Sequence, residues 1–368
     1  MKIHASTIGG GLIALAMMLG LAAPAAAEND VPDWISRISF YGDLRLRHED
    51  IYTEGDPGAN RDRERGRARI GLSAEVNDSV KLVFGLATGG DNPVSRNVTG
   101  DGGFTTKEIG IELFYADWTV NDNLNVFAGK MKNNLFRAGG SPLIWDGDLN
   151  LEGAALTYTN GWFFTNVGAY SVEERSGEDD SQLYTAQFGG EFSVGDGAKL
   201  TTGVGVFGYT NTIGNEPFYN GNPRGNTVDI NGNYIFDYRN VEAFAQYDMK
   251  AGSLPLSLFG HYTVNTEVDR EDTAYAFGAK LGAAKNKGEW EASWTYQDIE
   301  ADAVIGTFND SDFGGGGTDS EGHMIKAKYA LGKNVALGST FFLNKIDEFQ
   351  GTETDFNRIQ LDLEFKFK

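Results

Sequence analysis

Polar and apolar residues alternate with period two over most of the chain. Between Arg358 and Phe367, Ile359, Leu361, Leu363, Phe365 and Phe367 fall on one face, and Arg358, Gln360, Asp362, Glu364 and Lys366 on the other. Successive side chains of a strand point to opposite sides, so this segment predicts a strand that is greasy outside and wet inside. The same reading holds at 38–47, 67–76, 184–192, 241–248, 254–264 and 289–297. It holds less regularly at 80–87, 108–118, 124–131, 153–159, 162–171, 199–209, 273–283, 323–331 and 335–344. That makes sixteen predicted strands. No run of about 18 apolar residues follows residue 27, so no spanning helix is expected.

The connections alternate in length. Tight turns are expected at 77–79, 121–123, 160–161, 195–197, 250–252, 286–288 and 333–334, where Asn-Gly and Asp-Gly steps favour positive φ. Long polar or Gly-rich stretches lie between them, at 48–64, 88–107, 132–152, 172–181, 210–236, 299–322 and 345–355. Short turns on one rim and long loops on the other predict an all-β fold, a transmembrane antiparallel β-barrel of about 16 strands. The turns would be periplasmic and the loops external. Trp118, Trp162, Trp290 and Tyr329, near strand ends, fit the aromatic girdles of such a barrel. The soluble alternative, a large β-sandwich or propeller, buries both sheet faces and does not alternate its loops this regularly.

Composition changes the picture in three ways. A mean hydropathy of −0.34 excludes a helical membrane bundle but not a barrel, whose strands are apolar on one side only. The 368 residues include no cysteine, which removes disulfides, thiolate nucleophiles and Cys-ligated metal centres. A formal charge of −21 argues against a nucleic-acid partner, which needs a basic face. At the start, Met1-Lys2, an apolar run from Ile8 to Ala23 and Ala25-Ala26-Ala27 precede the acidic Glu28-Asn29-Asp30. This is the pattern of a cleaved export signal, 1–27, leaving 28–368 as one barrel domain.

Sixteen strands enclose a lumen wide enough for water. Its candidate constriction is Arg61-Asp62-Arg63-Glu64-Arg65-Gly66-Arg67-Ala68-Arg69. Alternate arginines on a strand stand roughly 6.6–6.8 Å apart on one face. For Arg65, Arg67 and Arg69 the opposite face reads apolar, which turns them inward; Arg61 and Arg63 fit a solvated hairpin equally well. Arg45 and Arg47 belong to the same inward face on the preceding strand. The stretch 132–152 is apolar for an external loop, with Leu135, Phe136, Leu143, Ile144, Trp145 and Leu149. It is therefore expected to fold into the lumen, with Asp146, Asp148 and Glu152 opposite the arginines. A transverse field between acids and bases filters solutes by orienting dipoles and stripping apolar molecules of ordered water.

Other chemistry is weaker. Gly203-Val204-Gly205-Val206-Phe207-Gly208 matches a dinucleotide fingerprint without the helix that must follow. Asp146-x-Asp148-x-Asn150 starts like a calcium loop, but Leu151 and Thr157 replace its required Gly and Glu. A loosely held Ca²⁺ there, or at Asp310-Ser311-Asp312, is the minor alternative. His48, His261 and His323 form no ligand pair, so no metal and no cofactor are expected. His261 could serve an outer-membrane hydrolase, but no Gly-x-Ser-x-Gly elbow accompanies it.

Several blocks resemble the bacterial outer-membrane putative porin family. They are Gly42-Asp43-Leu44-Arg45-Leu46-Arg47, the arginine repeat through Gly71-Leu72, Val76-Asn77-Asp78, Ala87-Thr88-Gly89-Gly90-Asp91-Asn92-Pro93-Val94-Ser95, Gly129-Lys130-Met131-Lys132-Asn133 and Leu143 to Gly153. The resemblance covers roughly the first 130 residues after the signal, and implies a general porin-type channel. Such a channel is passive, cofactor-free and homotrimeric, sits in outer-membrane lipid, and passes ions and small hydrophilic solutes. The alternatives are a channel selective for anions such as phosphate or carboxylates, and the hydrolase. Porins usually end on an aromatic residue read by the barrel-assembly machinery; here Phe367 is penultimate, which displaces that signal by one residue.

Overall fold

The computed structural model describes residues 33–56, 58–177, 179–195 and 197–368, so the predicted export signal lies outside the described residues. Asp33–Ser36 forms one helical turn. The strands that follow are β1 (Ile38–Thr53), β2 (Arg61–Glu75), β3 (Val80–Thr88), β4 (Val98–Thr99), β5 (Ile109–Asn121), β6 (Leu124–Lys132), β7 (Asn150–Asn160), β8 (Phe163–Glu173) and β9 (Ser181–Val194). They continue as β10 (Ala198–Tyr209), β11 (Arg239–Ala251), β12 (Leu254–Asn265), β13 (Thr273–Gly282), β14 (Trp290–Ile299), β15 (Ser320–Gly332), β16 (Val335–Ile346) and β17 (Thr354–Phe367). Sixteen of them are antiparallel staves, and β1 pairs with both β2 and β17, closing the cylinder. Closure leaves no sheet edge, as hydrocarbon demands. No helix among the described residues is long and apolar enough to cross a membrane.

Two departures from the expected layout concern β2. The two-residue β4 is additional: it pairs with Arg65 and Gly66, beyond the reach of the shorter β3. The stretch 48–64 is not one long loop, because β1 runs on to Thr53 and β2 begins at Arg61. His48 opposite Glu64 and Glu49 opposite Arg63 continue the ladder, but their polar side chains occupy both faces and so break the sequence alternation.

The outer wall is apolar. Leu44 and Leu46 are 42% and 49% exposed beside inward Arg45 and Arg47, the arrangement lipid contact requires. Trp118, Trp162, Trp290 and Tyr329 are exposed at the short-turn ends of their staves, with Trp290 directly opposite Tyr329 across the β14–β15 pair.

The interior is more filled than expected. Several loops face inward rather than one, and the largest part of the filling comes from 133–149, 210–238 and 300–319. Together with wall residues they form an apolar core that includes Leu143, Trp145, Phe207, Tyr209, Phe218, Tyr234, Ile305 and Phe313. The Trp145 ring lies 4.8 Å from that of Phe207, and its Nε1 donates to Tyr209 Oη at 3.2 Å. Polar clasps bind loop to loop. Asp302 accepts from Thr227 N at 2.9 Å and Tyr238 Oη at 2.9 Å, while Asn226 Nδ2 donates to Ala301 O and Val304 O. Gly139, at φ +64°, donates to Gln246 Oε1 at 2.8 Å; a Cβ there would meet the Phe259 ring at 2.3 Å, so only glycine lets the loop lie this close to the wall.

Candidate functional site

Open lumen remains along β1, β2 and β17, on the side the loops do not fill. Two cavities succeed one another there. The outer one, about 700 Å³, opens at the long-loop rim and is lined by Arg61, Arg63, Arg65, Arg224 and Arg358 with no carboxylate. The inner one, about 300 Å³, mixes Arg45, Arg47, Arg137 and Lys326 with Asp146, Asp148, Asp310, Asp312, Asp362 and Glu364. Val94 and Ser311 line both, which sets the junction between them.

Strand parity places the arginines. On β2 the odd positions turn inward, so Arg63, Arg65, Arg67 and Arg69 stand in one column, Arg63 included; Arg61, at its end, is exposed. Arg67 Nη2 donates to Asp43 Oδ1 at 2.9 Å, and Arg69 Nε to Glu112 Oε1 at 2.8 Å. Both reach Asp148 Oδ1, at 3.3 and 2.9 Å. Asp148 is thus the carboxylate of loop 133–149 that meets the arginine wall. Arg47 is held by Asp362 through two hydrogen bonds of 2.7 and 2.8 Å, and by Asp312 at 3.0 Å. Arg45 Nη2 donates to Asn97 Oδ1 at 2.7 Å. Arg63 Nε donates to Glu49 Oε1 at 2.5 Å, whereas Arg65 approaches the same oxygen only to 3.8 Å.

Two of the expected acids sit elsewhere. Among the described residues Asp146 makes no ion pair with an arginine; its carboxylate accepts from Asp148 N at 2.6 Å and Ser311 N at 2.9 Å, clasping loop 133–149 to loop 300–319. Glu152 is a correction: it lies on β7 beside Leu151, which turns into the core, so Glu152 turns outward and pairs with Lys130 at 3.5 Å. The last loop residue and the first strand residues differ by one step of alternation, which reverses the face.

Burial and neighbours split the loop acids. Burial, reinforced by Asp310 and Asp148, pushes Asp146 well above the usual carboxylate range. Burial and then Asp312 likewise push Asp310 up. Asp148 and Asp312 are buried too, but the charges of Arg69 and Arg67, and of Arg358 and Arg47, overcome burial and hold them low. Among the described residues no group of three or more His, Asp or Glu is arranged to hold a metal ion.

Several members were not singled out from the sequence. Asp43, Glu49, Arg358 and Asp362 share the inward parity of their strands, and closing the first strand onto the last would have paired Arg47 with Asp362. Glu112 was hidden by a bulge in β5. Arg224 comes from a loop, where alternation carries no information, and so does Asp312, which the sequence offers only as a candidate calcium ligand.

A family model described as a putative porin matches residues 56–227 and 224–367. No curated protein matches the chain. Among solved structures, OprB of Pseudomonas putida superposes with a TM-score of 0.62 at 14% identity, covering 90% of this chain and 95% of that one. OmpF of Salmonella typhi, in complex with daunomycin, gives 0.57 at 14%, covering 90% and 97%. OmpT of Vibrio cholerae, in a structure described as its trimer form, gives 0.52 at 14%, covering 90% and 99%. At these identities the likeness establishes the fold, and the family match extends over nearly all of the barrel. The chain belongs to the putative porin family of bacterial outer-membrane β-barrels.

Proposed function

We propose that this outer-membrane porin passes small hydrophilic solutes by passive diffusion and favours anions over cations. The observation that carries the preference is the outer cavity, whose lining holds five arginines and no Asp or Glu, with only Arg63 and Arg358 hydrogen-bonded to carboxylates, those of Glu49 and Asp312. Cavity walls of one sign raise the local concentration of the opposite ion. The inner cavity, whose charges are largely paired, contributes polarity and width rather than sign. Planar-bilayer reversal potentials in a KCl gradient test this reading: a chloride-favouring potential is expected, and a potassium-favouring one overturns it.

We read the barrel as a channel rather than an enzyme scaffold. His261, the residue a hydrolase would use, is 5% exposed and bound through Nε2 to Glu242 Oε2 at 2.9 Å.

A trimer is the assembly we propose, with β5–β8 as the shared wall. A lipid-facing strand needs about 9–11 residues, yet the outward positions of β6 are apolar only at Leu124, Val126 and Ala128 before Lys130. Ala116, Ala128, Ala154 and Ala169 lie side by side across these four strands, giving a flat row against which a second copy can pack.

A further inference from the structure

We propose that the outer cavity is a saturable binding site for a polyvalent oxyanion, one carrying two or more carboxylate or phosphate groups; this rests on the anion-channel reading above. Two of the five arginines already hold a carboxylate. Arg63 is taken by Glu49 and Arg358 by Asp312, at 2.5 Å each. Arg65 Nη1 reaches Glu49 only as an ion pair at 3.8 Å, without a hydrogen bond, while Arg63 and Gln360 Nε2 take the two oxygens at 2.5 and 2.9 Å. Among the described residues, the side chains of Arg61, Arg65 and Arg224 donate no hydrogen bond. The Nε of Arg65 and that of Arg358 are buried without an acceptor. A buried donor left unpaired is costly, and so asks for one.

These donors converge from three separate elements: β2, β17 and loop 210–238. Arg224 is built in deliberately. Its backbone sits at φ +52°, a conformation unfavourable for any side chain, and its carbonyl accepts from Thr318 N at 2.9 Å. Gly306 and Gly317 pack against the same carbonyl so closely that a Cβ on either would come within 2.3 Å. Strain of this kind persists where the surroundings over-determine it, as at ligand clamps. Guanidinium forks match carboxylate and phosphate oxygens two at a time. Three guanidinium forks that donate no hydrogen bond, in about 700 Å³, suit an anion with several such groups, rather than chloride or acetate.

The test is block of single-channel KCl current by citrate or inorganic pyrophosphate, against acetate at matched ionic strength. Saturable block by both polyanions, at least tenfold stronger than by acetate, is expected. Block by citrate alone identifies a carboxylate site, and block by pyrophosphate alone a phosphate site. Arg65→Ala with Arg224→Ala should weaken block about tenfold while leaving heat-modifiable gel mobility unchanged. Calorimetric titration of citrate and pyrophosphate into the detergent-solubilised wild-type protein needs no variant and must show the same preference. Chloride-selective conductance without polyanion block overturns the site and leaves the channel reading standing. Absence of conductance, or potassium selectivity, overturns both.

Discussion

Arg47 and Asp362 face one another directly across the seam where the first and last strands meet, joined by hydrogen bonds of 2.7 and 2.8 Å. Both lie inside the wall, and Arg47 is 5% exposed. Removing one partner of such a pair strands the other charge out of water, at about 3–5 kcal/mol. Asp312 still reaches Arg47 at 3.0 Å and offsets part of this. Asp362→Ala is therefore expected to lower unfolding stability by about 2–3 kcal/mol. Urea unfolding in lipid vesicles, followed by tryptophan fluorescence, measures it; an unchanged midpoint would show that the seam is held by its backbone ladder alone.

Charge reversal on the column should move selectivity. Arg65→Glu with Arg67→Glu replaces two cations by two anions beside the junction of the cavities. The chloride preference is expected to fall and to invert to potassium. Unchanged reversal potentials would place the column outside the path of ions.

Asp148→Asn should act in the opposite sense. It removes the carboxylate shared by Arg67 and Arg69. Two guanidinium groups then face the lumen with less compensation, and chloride selectivity should rise. It should also loosen loop 133–149, seen as a larger and noisier open-channel current.

The loop acids give two responses to pH of opposite sign. Asp148 and Asp312 are held below the ordinary aspartate value of about 4. The stability they lend is complete above that value, and is lost only as pH falls through their depressed values. Asp146 and Asp310 are raised. Their protonated forms favour the fold; that contribution is lost as pH rises through the raised values and the buried carboxylates repel. Open-channel noise should therefore increase on the alkaline side. Asp310→Asn removes one of the repelling charges and should suppress the increase; persistence of the full effect would rule out this pair as its source.

The absence of native cysteine makes the trimer proposal directly testable. Ala154→Cys lies mid-row on the proposed shared wall, and Leu361→Cys on the wall of β17. Disulfide cross-linking in native outer membrane is expected to trap dimers of the first and none of the second. The reverse pattern would move the interface to the seam.

Much of this was legible in the sequence, for a physical reason. Lipid outside and water inside impose a strict period of two, so Leu361 and Asp362 declare their faces without any structure. That is why all sixteen staves, the inward column Arg65–Arg67–Arg69 and the apolar loop with Trp145 could be read. Legibility failed where alternation no longer measures environment. Glu152 stands one step past the loop, where the pleat turns it outward although its charge suggests the lumen. His48 and Glu64 extend a hairpin whose two sides are both polar. Arg224, Asp310 and Asp312 owe their positions to loops that meet only in three dimensions.

The interior core also dictates an order of events in assembly. Asn309 Nδ2 donates to Leu143 O across 166 residues of chain, and Trp145 packs on Phe207 of β10. Contacts so distant in sequence become cheap only after the intervening strands have closed, because closure removes most of the entropy that separates them. The shell must form first and the aperture afterwards. A newly inserted barrel would thus begin as a wide, unselective leak, and a defect in any one of the inward loops would leave it so, harming the cell through permeability rather than through loss of the protein.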